Sequence, residues 1–254
     1  MESSQFQSPN ILGFPVEVVA GAHVADERAC FPYVKWLQER LETGQGAHAI
    51  TFNAEMAMLG RRDREFAETL RQADILVPDG AGVILALKLR GMSARRCPGI
   101  ELAEALLEVA TREQWSVFAL GGTPEVLPRA LAAWRERYPS LRLDGHHGFL
   151  TEASEVEVSD RIQQLQPQLI LVGTGVPRQE YWIRDRRHLA PKSIWMGVGG
   201  SFDVWSGMKN RAPRVLRQYY LEWLYRLYQE PWRWRRMLAL PQFALQVLVR
   251  GEKS

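Results

Sequence analysis

The chain has 254 residues, of which 46% are hydrophobic, and its formal net charge is +3. This length and composition can bury a full core and exclude an intrinsically disordered protein, while no apolar run approaches the ~18 residues of a membrane span. Residues 1–10 lack the basic and apolar regions of a signal peptide, so we expect a cytoplasmic protein with one larger α/β domain, or a domain with an appendage.

Strand-like and helix-like segments alternate along the first half of the chain. Residues 1–10 are polar, and we predict that they are disordered. Short runs rich in β-branched residues indicate strands, whereas apolar residues spaced three or four apart indicate helices. These patterns predict strands at residues 15–19, 47–53 and 75–77, and helices at residues 25–44, 54–73, 83–91 and 101–114.

The same alternation continues in the second half, where glycines repeatedly follow the strands. The patterns predict strands at 115–122, within 141–149, at 169–175 and at 193–200, with helices at 123–139, 154–166 and 176–189. Strands separated by helices indicate a parallel sheet with crossover connections. We therefore predict an α/β fold, a Rossmann-like doubly wound and mostly parallel sheet, over residues 11–207.

One carboxylate, Asp79, stands at a predicted strand-to-helix junction within residues 73–82. In open α/β sheets, ligands bind at the carboxyl ends of the strands. The neighbouring Gly80 and Gly82 allow a ligand to approach the backbone and leave N–H groups free for phosphate. Thr51 and Asn53 end the preceding strand, and their side chains can reach the same crevice. The alternative for all three polar residues is a role as turn or helix-cap residues.

Several kinds of cofactor site lack support in the sequence. Neither the G-x-G-x-x-G fingerprint nor the P-loop motif occurs, which argues against an enzyme with a hydride-transfer cofactor, such as a UDP-sugar epimerase. Cys30 and Cys97 are far apart and have no metal-binding spacing, so we expect two reduced, buried thiols. The expectation is an enzyme with no cofactor and no metal.

The last part of the chain is basic and rich in aromatic residues. Residues 205–254 contain ten Lys and Arg against three Asp and Glu, a net charge of +7, so the preceding residues carry −4. Trp and Tyr favour the headgroup region of a bilayer, and basic residues favour anionic lipids. We predict that residues 208–254 form a helical appendage that contacts a membrane through Trp223, Trp232, Trp234 and Arg235.

Three alternatives for this appendage remain open. It could pack on its own domain, form the interface of a homo-oligomer, or bind nucleic acid through the same arginine and tryptophan side chains.

Eight ordered motifs, spread over roughly residues 11–240, carry a resemblance to a known family. They are TFNAEM, ADILVPDGAGVILALKLRG, RRCPGIEL, FALGGTPEV, YPSLRLDGHHGF, LILVGTGVPRQEYWI, GVGGSFDVWSGMKNRAPRV and LEWLYRLYQEPWRWRRM. In this respect the chain resembles the WecG/TagA/CpsF family of bacterial glycosyltransferases. The resemblance implies transfer of a sugar from a UDP donor, most often N-acetylmannosamine, otherwise its uronic acid or glucose. The implied acceptor is a polyprenyl-diphosphate-linked sugar at the cytoplasmic face of the membrane, in the synthesis of cell-surface polysaccharides.

The resemblance also implies roles for individual residues. Asp79 matches the catalytic base of an inverting transfer, and Thr51 and Asn53 match a T-x-N motif at the same crevice. Arginines matching Arg226, Arg233 and Arg236 are implied to lie over the site and stabilise the diphosphate. The remaining substrate-binding candidates are Arg96, Gln179 and the pairs Gly121, Gly122 and Gly199, Gly200.

Two features of the sequence modify this picture. Many nucleotide-sugar enzymes hold the diphosphate through a metal on a D-x-D motif, and the chain contains no such motif. Arginines and helix N-termini are therefore the expected diphosphate ligands. The family often has Asp where this chain has Glu101, whose extra methylene keeps the charge but extends the side chain.

Overall fold

A computed structural model describes residues 6–19 and 29–250, with the side chains of Arg233 and Arg250 left undescribed. The beginning of the predicted helix at 25–44 therefore lies outside the described residues. The described part of the chain is an α/β fold with a six-stranded parallel sheet flanked by helices.

Four two-residue strands precede the main sheet and pair in two antiparallel sets. They are β1 Phe6–Gln7, β2 Asn10–Ile11, β3 Phe14–Pro15 and β4 Val18–Val19. Because β1 pairs with β4 and β2 with β3, the prediction of disorder is wrong for residues 6–10. In place of the predicted strand at 15–19, the structure has two short strands, β3 and β4, outside the main sheet.

The main sheet contains the strands that the β-branched runs predict. They are β5 Ala47–Phe52, β6 Ile75–Pro78, β7 Ser116–Gly121, β8 Arg142–His146, β9 Leu169–Gly173 and β10 Ile194–Gly197. Their order is β6-β5-β10-β9-β7-β8, and every neighbouring pair is parallel. Helices cover both faces, so the inner strands β7, β9 and β10 are almost wholly buried and consist of nearly continuous apolar runs.

The helices connect these strands and continue into the C-terminal part. Their bounds are α1 Phe31–Glu42, α2 Ala54–Gly60, α3 Arg64–Arg71, α4 Ala81–Leu89, α5 Gly99–Arg112, α6 Val126–Arg137, α7 Glu152–Leu165, α8 Arg178–Arg186, α9 Ser201–Trp205, α10 Arg214–Gln218, α11 Glu222–Gln229, α12 Trp234–Met237 and α13 Ala239–Arg250. The predicted helix at 54–73 is two helices, because the Asp63 side chain accepts a hydrogen bond from the Phe66 N–H and starts α3.

The two cysteines form a disulfide, so the prediction of reduced thiols is wrong. Cys30 precedes α1 directly, and Cys97 lies in the loop between α4 and α5, with a Cα–Cα distance of 5.0 Å. The sulfurs meet because α1 and α5 pack against each other on one face of the sheet. The prediction rested on the distance between the two cysteines in the sequence, whereas the topology of the fold brings them together.

The C-terminal helices pack on the domain that precedes them. Phe243 and Val247 of α13 are buried in the same apolar cluster as Ala54 of α2 and Ile84 of α4. A Cβ added at Gly82 would lie 3.3 Å from the Phe243 ring, which shows how closely α13 approaches the start of α4. This contact holds the appendage beside the carboxyl ends of β5 and β6.

Candidate active site

A cleft of about 460 Å³ opens at the carboxyl ends of β5, β6, β9 and β10. The C-terminal helices α11 to α13 supply part of its wall. Most of the residues selected from the sequence line it: Thr51, Asn53, Asp79, Gly80, Gly82, Arg96, Gln179, Gly199, Gly200, Trp223, Arg226 and Arg236. The fold therefore gathers residues that are up to 185 positions apart into one site.

Asp79 follows β6 directly and lies at the floor of the cleft. Gly80 makes the turn into α4 with a φ of 86°, a conformation that glycine adopts readily. Burial raises the pKa of the Asp79 carboxyl above its ordinary value, against the opposing effect of the Arg96 and Arg226 cations, and the nearby Glu222 raises it further. A carboxylate with a raised pKa is a stronger base, as proton abstraction near neutral pH requires.

Two backbone contacts hold Asp79 in place. Its N–H donates to the Phe52 carbonyl at 2.8 Å, and its Oδ2 accepts a hydrogen bond from the Gly99 N–H at 3.3 Å. Thr51 lies on the adjacent strand, and a Cβ added at Gly99 would stand 2.8 Å from its Oγ1. Gly99 therefore lets the Thr51 hydroxyl and the Asp79 carboxylate approach the same end of α5.

Asn53 lines the cleft and also caps a helix. Its Oδ1 accepts a hydrogen bond from the Met56 N–H at 3.1 Å at the start of α2. The capping role considered from the sequence is thus present, and it directs one side-chain atom of Asn53 to the backbone.

Two arginines meet at the cleft around a carboxylate that the sequence analysis did not select. Glu222, the first residue of α11, is buried and accepts hydrogen bonds from Arg96 at 2.9 Å and from Arg226 at 3.0 Å. The four-residue spacing of Glu222 and Arg226 on one helix is a sequence signal for their ion pair, which is half of this cluster. The other half, with Arg96, spans 126 residues and had no local signal.

Gln179 lies in the cleft wall, but its polar atoms bind the protein itself. Its Oε1 accepts hydrogen bonds from the Gly175 N–H at 3.2 Å and the Gly199 N–H at 3.0 Å, and its Nε2 donates to Glu180 at 2.8 Å. Glu180 also accepts a hydrogen bond from the buried His48 at 3.0 Å. This buried chain holds together the two glycine-containing loops that follow β9 and β10, and no local pattern in the sequence points to His48 or Glu180.

Gly121 and Gly122 do not line the cleft. A Cβ added at Gly121 would lie 2.8 Å from the Cα of Gly173, and one added at Gly122 would lie 2.8 Å from the Val126 side chain. Close packing after β7 accounts for both glycines, and their approach to a substrate stays a prediction.

The appendage residues divide between the cleft and the surface. Trp223 lines the cleft, and its contact with a membrane stays a prediction. Arg236 also lines the cleft and forms an ion pair with Glu55, while the side chain of Arg233 lies outside the described residues. Trp232 and Trp234 are 70% and 54% exposed, and Arg235 stacks over the Trp234 ring.

The outer surface of the appendage carries further apolar side chains. Exposed members are Tyr219, Leu224, Tyr228, Leu238, Leu245, Leu248 and Val249. Within the described residues, no helix combines the length and apolar character that crossing a bilayer would require.

Comparisons with known proteins point to a single family. The family model described as "Glycosyl transferase WecG/TagA/CpsF family" matches residues 19–254. A relative from Bacillus spizizenii (strain ATCC 23059 / NRRL B-14472 / W23) is 35% identical over 216 residues, which cover 84% of this chain and 83% of the relative. It is named N-acetylglucosaminyldiphosphoundecaprenol N-acetyl-beta-D-mannosaminyltransferase.

Two further relatives carry the same name. The protein from Bacillus subtilis (strain 168) is 35% identical over 211 residues, covering 82% of this chain and 81% of the relative. The protein from Staphylococcus aureus (strain MW2) is 36% identical over 199 residues, covering 78% of each chain.

Proposed function

This chain belongs to the WecG/TagA/CpsF family of glycosyltransferases, and from this membership we propose that it transfers N-acetylmannosamine from a UDP donor to a polyprenyl-diphosphate-linked N-acetylglucosamine. The relatives are named for transfer of N-acetyl-β-D-mannosamine to N-acetylglucosaminyldiphosphoundecaprenol. The reaction belongs to the synthesis of cell-surface polysaccharides. The observation that carries the assignment of the site is the meeting of Asp79 with two arginines in one cleft.

Asp79 is the catalytic base in this proposal. Its carboxylate takes the proton of the acceptor hydroxyl while that oxygen attacks the anomeric carbon of the donor sugar. The bond from that carbon to the diphosphate oxygen breaks, and UDP leaves with the bonding electron pair. A single displacement of this kind inverts the anomeric centre.

The diphosphate of the leaving UDP is assigned to Arg96 and Arg226. Charge-assisted hydrogen bonds from guanidinium groups match phosphate oxygens and stabilise the negative charge that develops there. We propose that this replaces a metal ion, with Arg236 as a third cation at the rim of the cleft. Support comes from the position of all three arginines in the cleft lining.

Thr51, Asn53 and the glycines of the cleft position the two sugars and the nucleotide. Thr51 lines the same cleft as Asp79, and its hydroxyl is assigned to the reacting sugars. Gly80, Gly82 and Gly200 are assigned to present backbone N–H groups to donor oxygens, while Gly199, whose N–H donates to Gln179, lets the donor approach the backbone.

The acceptor lipid explains the exposed apolar surface of the appendage. We propose that the protein lies on the inner face of the cytoplasmic membrane, with Trp232, Trp234 and Arg235 at the headgroups. Interfacial tryptophans and basic residues favour such a position.

The test is transfer from a panel of donors to a short-chain polyprenyl-diphosphate N-acetylglucosamine, in the presence of a chelator. The donors are UDP-N-acetylmannosamine, its uronic acid and UDP-glucose. Product from UDP-N-acetylmannosamine alone is expected. Product from another donor would correct the sugar, and activity that needs an added metal would overturn the role of the arginines.

The Asp79→Asn variant tests the base directly. We expect kcat to fall about 10²- to 10⁴-fold, because asparagine cannot accept the proton, while UDP binding is retained. Asp160→Asn, on the exposed side of α7, is the matched control and should transfer at the wild-type rate. An active Asp79→Asn enzyme would remove Asp79 from the role of base.

A further inference from the structure

The buried Glu222 carboxylate lies where the appendage meets the core domain. It belongs to α11, whereas Arg96 belongs to the loop before α5, and both side chains are about nine-tenths buried. Glu222 also lies within 4.0 Å of Arg211, whose Nε is buried without a hydrogen-bond partner. Three cations therefore surround a single carboxylate beside the cleft.

Each of the two closest arginines binds a different oxygen of the Glu222 carboxylate. Oε2 accepts from Arg96 Nη2, and Oε1 accepts from Arg226 Nη2. Two guanidinium groups repel each other, and a bridging carboxylate offsets that repulsion. Each guanidinium has five N–H donors in a fixed fork, and the bond to Glu222 uses one nitrogen of each.

Glu222 is charged in this setting. Burial raises the pKa of its carboxyl, but the Arg226, Arg96 and Arg211 cations outweigh burial and hold the pKa below its ordinary value. Burial of a charge costs free energy unless the charge is paired. Glu222 and its arginine partners therefore hold one another in place.

We propose that Glu222 is a positioning residue that holds Arg96 and Arg226 together as the diphosphate-binding pair. The inference rests on the proposed function, since it assumes that these arginines bind the diphosphate. Without α11 in place, Arg226 is absent from the cleft and Arg96 loses its buried partner.

The Glu222→Gln variant keeps the shape of the side chain and one acceptor oxygen. Its amide nitrogen faces a guanidinium donor, so it can hold only one of the two arginines. We expect the dissociation constant for UDP to rise at least about tenfold, as for loss of charge-assisted hydrogen bonds, and that for uridine to stay unchanged. A merely structural ion pair would weaken UDP and uridine together or neither.

The pH profile supplies a second readout. The charged groups that face Asp79 are Arg96, Glu222 and Arg226, beside the Gly99 N–H. Because the Glu222 charge raises the pKa of Asp79 and both arginines lower it, the Glu222→Gln variant should move the acid limb of the kcat profile. An unmoved limb would contradict the placement of Glu222 against Asp79.

Glu230→Gln is the matched control, since Glu230 ends the same helix and pairs with Lys209 outside the cleft. It should bind UDP like the wild type. If Glu222→Gln does not fold, Glu222→Asp replaces it, because the shorter side chain keeps the charge but cannot span both arginines.

The outcomes separate this inference from the proposed function. Wild-type protein that neither binds UDP nor transfers sugar would overturn the proposed function. If the wild type binds UDP and a folded Glu222 variant binds UDP with undiminished affinity, only the inference is overturned.

Discussion

At the level of single residues, the environment of Asp79 predicts a distinctive pH dependence of transfer. Burial and Glu222 raise the pKa of its carboxyl, and Arg96 and Arg226 lower it, with burial dominant. Only the ionised form of Asp79 can take the proton of the acceptor hydroxyl. Activity should therefore be lost as the pH falls through this raised pKa. The profile of kcat at saturating donor should therefore show an acid limb above the ordinary value of 3.8. A limb at or below that value would contradict the buried environment.

A second carboxyl, Glu17, predicts the pH dependence of stability. Its Oε2 accepts a hydrogen bond from the Leu76 N–H at 2.6 Å, and its own N–H donates to the Leu76 carbonyl, so it covers the free edge of β6. Burial raises its pKa from 4.5 to about 7. The folded state therefore holds a proton that the unfolded state has released, and stability should fall as the pH rises from about 4.5 to about 7.

Glu17→Gln tests this dependence, because glutamine keeps the acceptor for Leu76 without a charge. Its free energy of unfolding at pH 8 should exceed that of the wild type by up to about 3 kcal/mol, and the difference should vanish near pH 4. Urea unfolding at the two pH values measures it, with the exposed Glu136→Gln of α6 as control. An equal difference at both pH values would exclude titration of Glu17 as the cause.

At the level of elements, the disulfide ties the loop that carries Arg96 to the start of α1. Cys30 and Cys97 are 67 residues apart, and the Cys97 N–H also donates to the Pro78 carbonyl at the end of β6. A cross-link restricts the unfolded chain over this span. By the chain-entropy estimate, that contributes about 4 kcal/mol to the free energy of unfolding.

Reduction should therefore lower the free energy of unfolding by up to about 4 kcal/mol. Urea unfolding with and without dithiothreitol measures the change. The double variant Cys30→Ser, Cys97→Ser should match the reduced wild type and should not respond to dithiothreitol. Identical oxidised and reduced curves for the wild type would show that the bond does not form or does not contribute.

The elements that the sequence predicts correctly are those with a strong local signal. Strands such as Leu169–Gly173 are unbroken apolar runs followed by glycine, and burial on both faces of the sheet requires that composition. The break between α2 and α3 was missed because the amphipathic pattern runs through it, and only the cap at Asp63 divides it. The short strands before residue 20 were predicted only as one strand at 15–19, because strands of two residues are too short to show a periodic pattern.

The same distinction applies to the candidate site. Asp79 and Thr51 could be selected because each ends a strand that is recognisable by itself. Glu222 has a local signal only in its spacing from Arg226, since its other partner Arg96 is 126 residues away, and the bond between His48 and Glu180 spans 132 residues. Such pairings depend on sheet order and on the docking of α11, which no local pattern contains.

At the level of the whole molecule, the appendage has an inner face and an outer face with different chemistry. Inward, Trp223 and Arg226 line the cleft, and Phe243 is buried against the start of α4. Outward, Trp232 and Leu248 are 70% and 64% exposed. A membrane contact on the outer face would therefore hold the cleft close to the headgroups, where a diphosphate-linked lipid presents its sugar.

The Trp232→Ala, Trp234→Ala double variant tests the outer face alone. We expect its partition onto vesicles with anionic lipid to fall severalfold, because the headgroup region favours tryptophan over alanine. Neither side chain is buried, so the free energy of unfolding should stay near that of the wild type. Phe149→Ala is the matched control, since this aromatic residue is 67% exposed and follows β8 at the opposite edge of the sheet. Vesicle sedimentation at several salt concentrations separates the apolar contribution from that of the basic residues, which salt screens. Equal binding by the wild type, the double variant and the control would show that the outer face of the appendage does not contact the membrane.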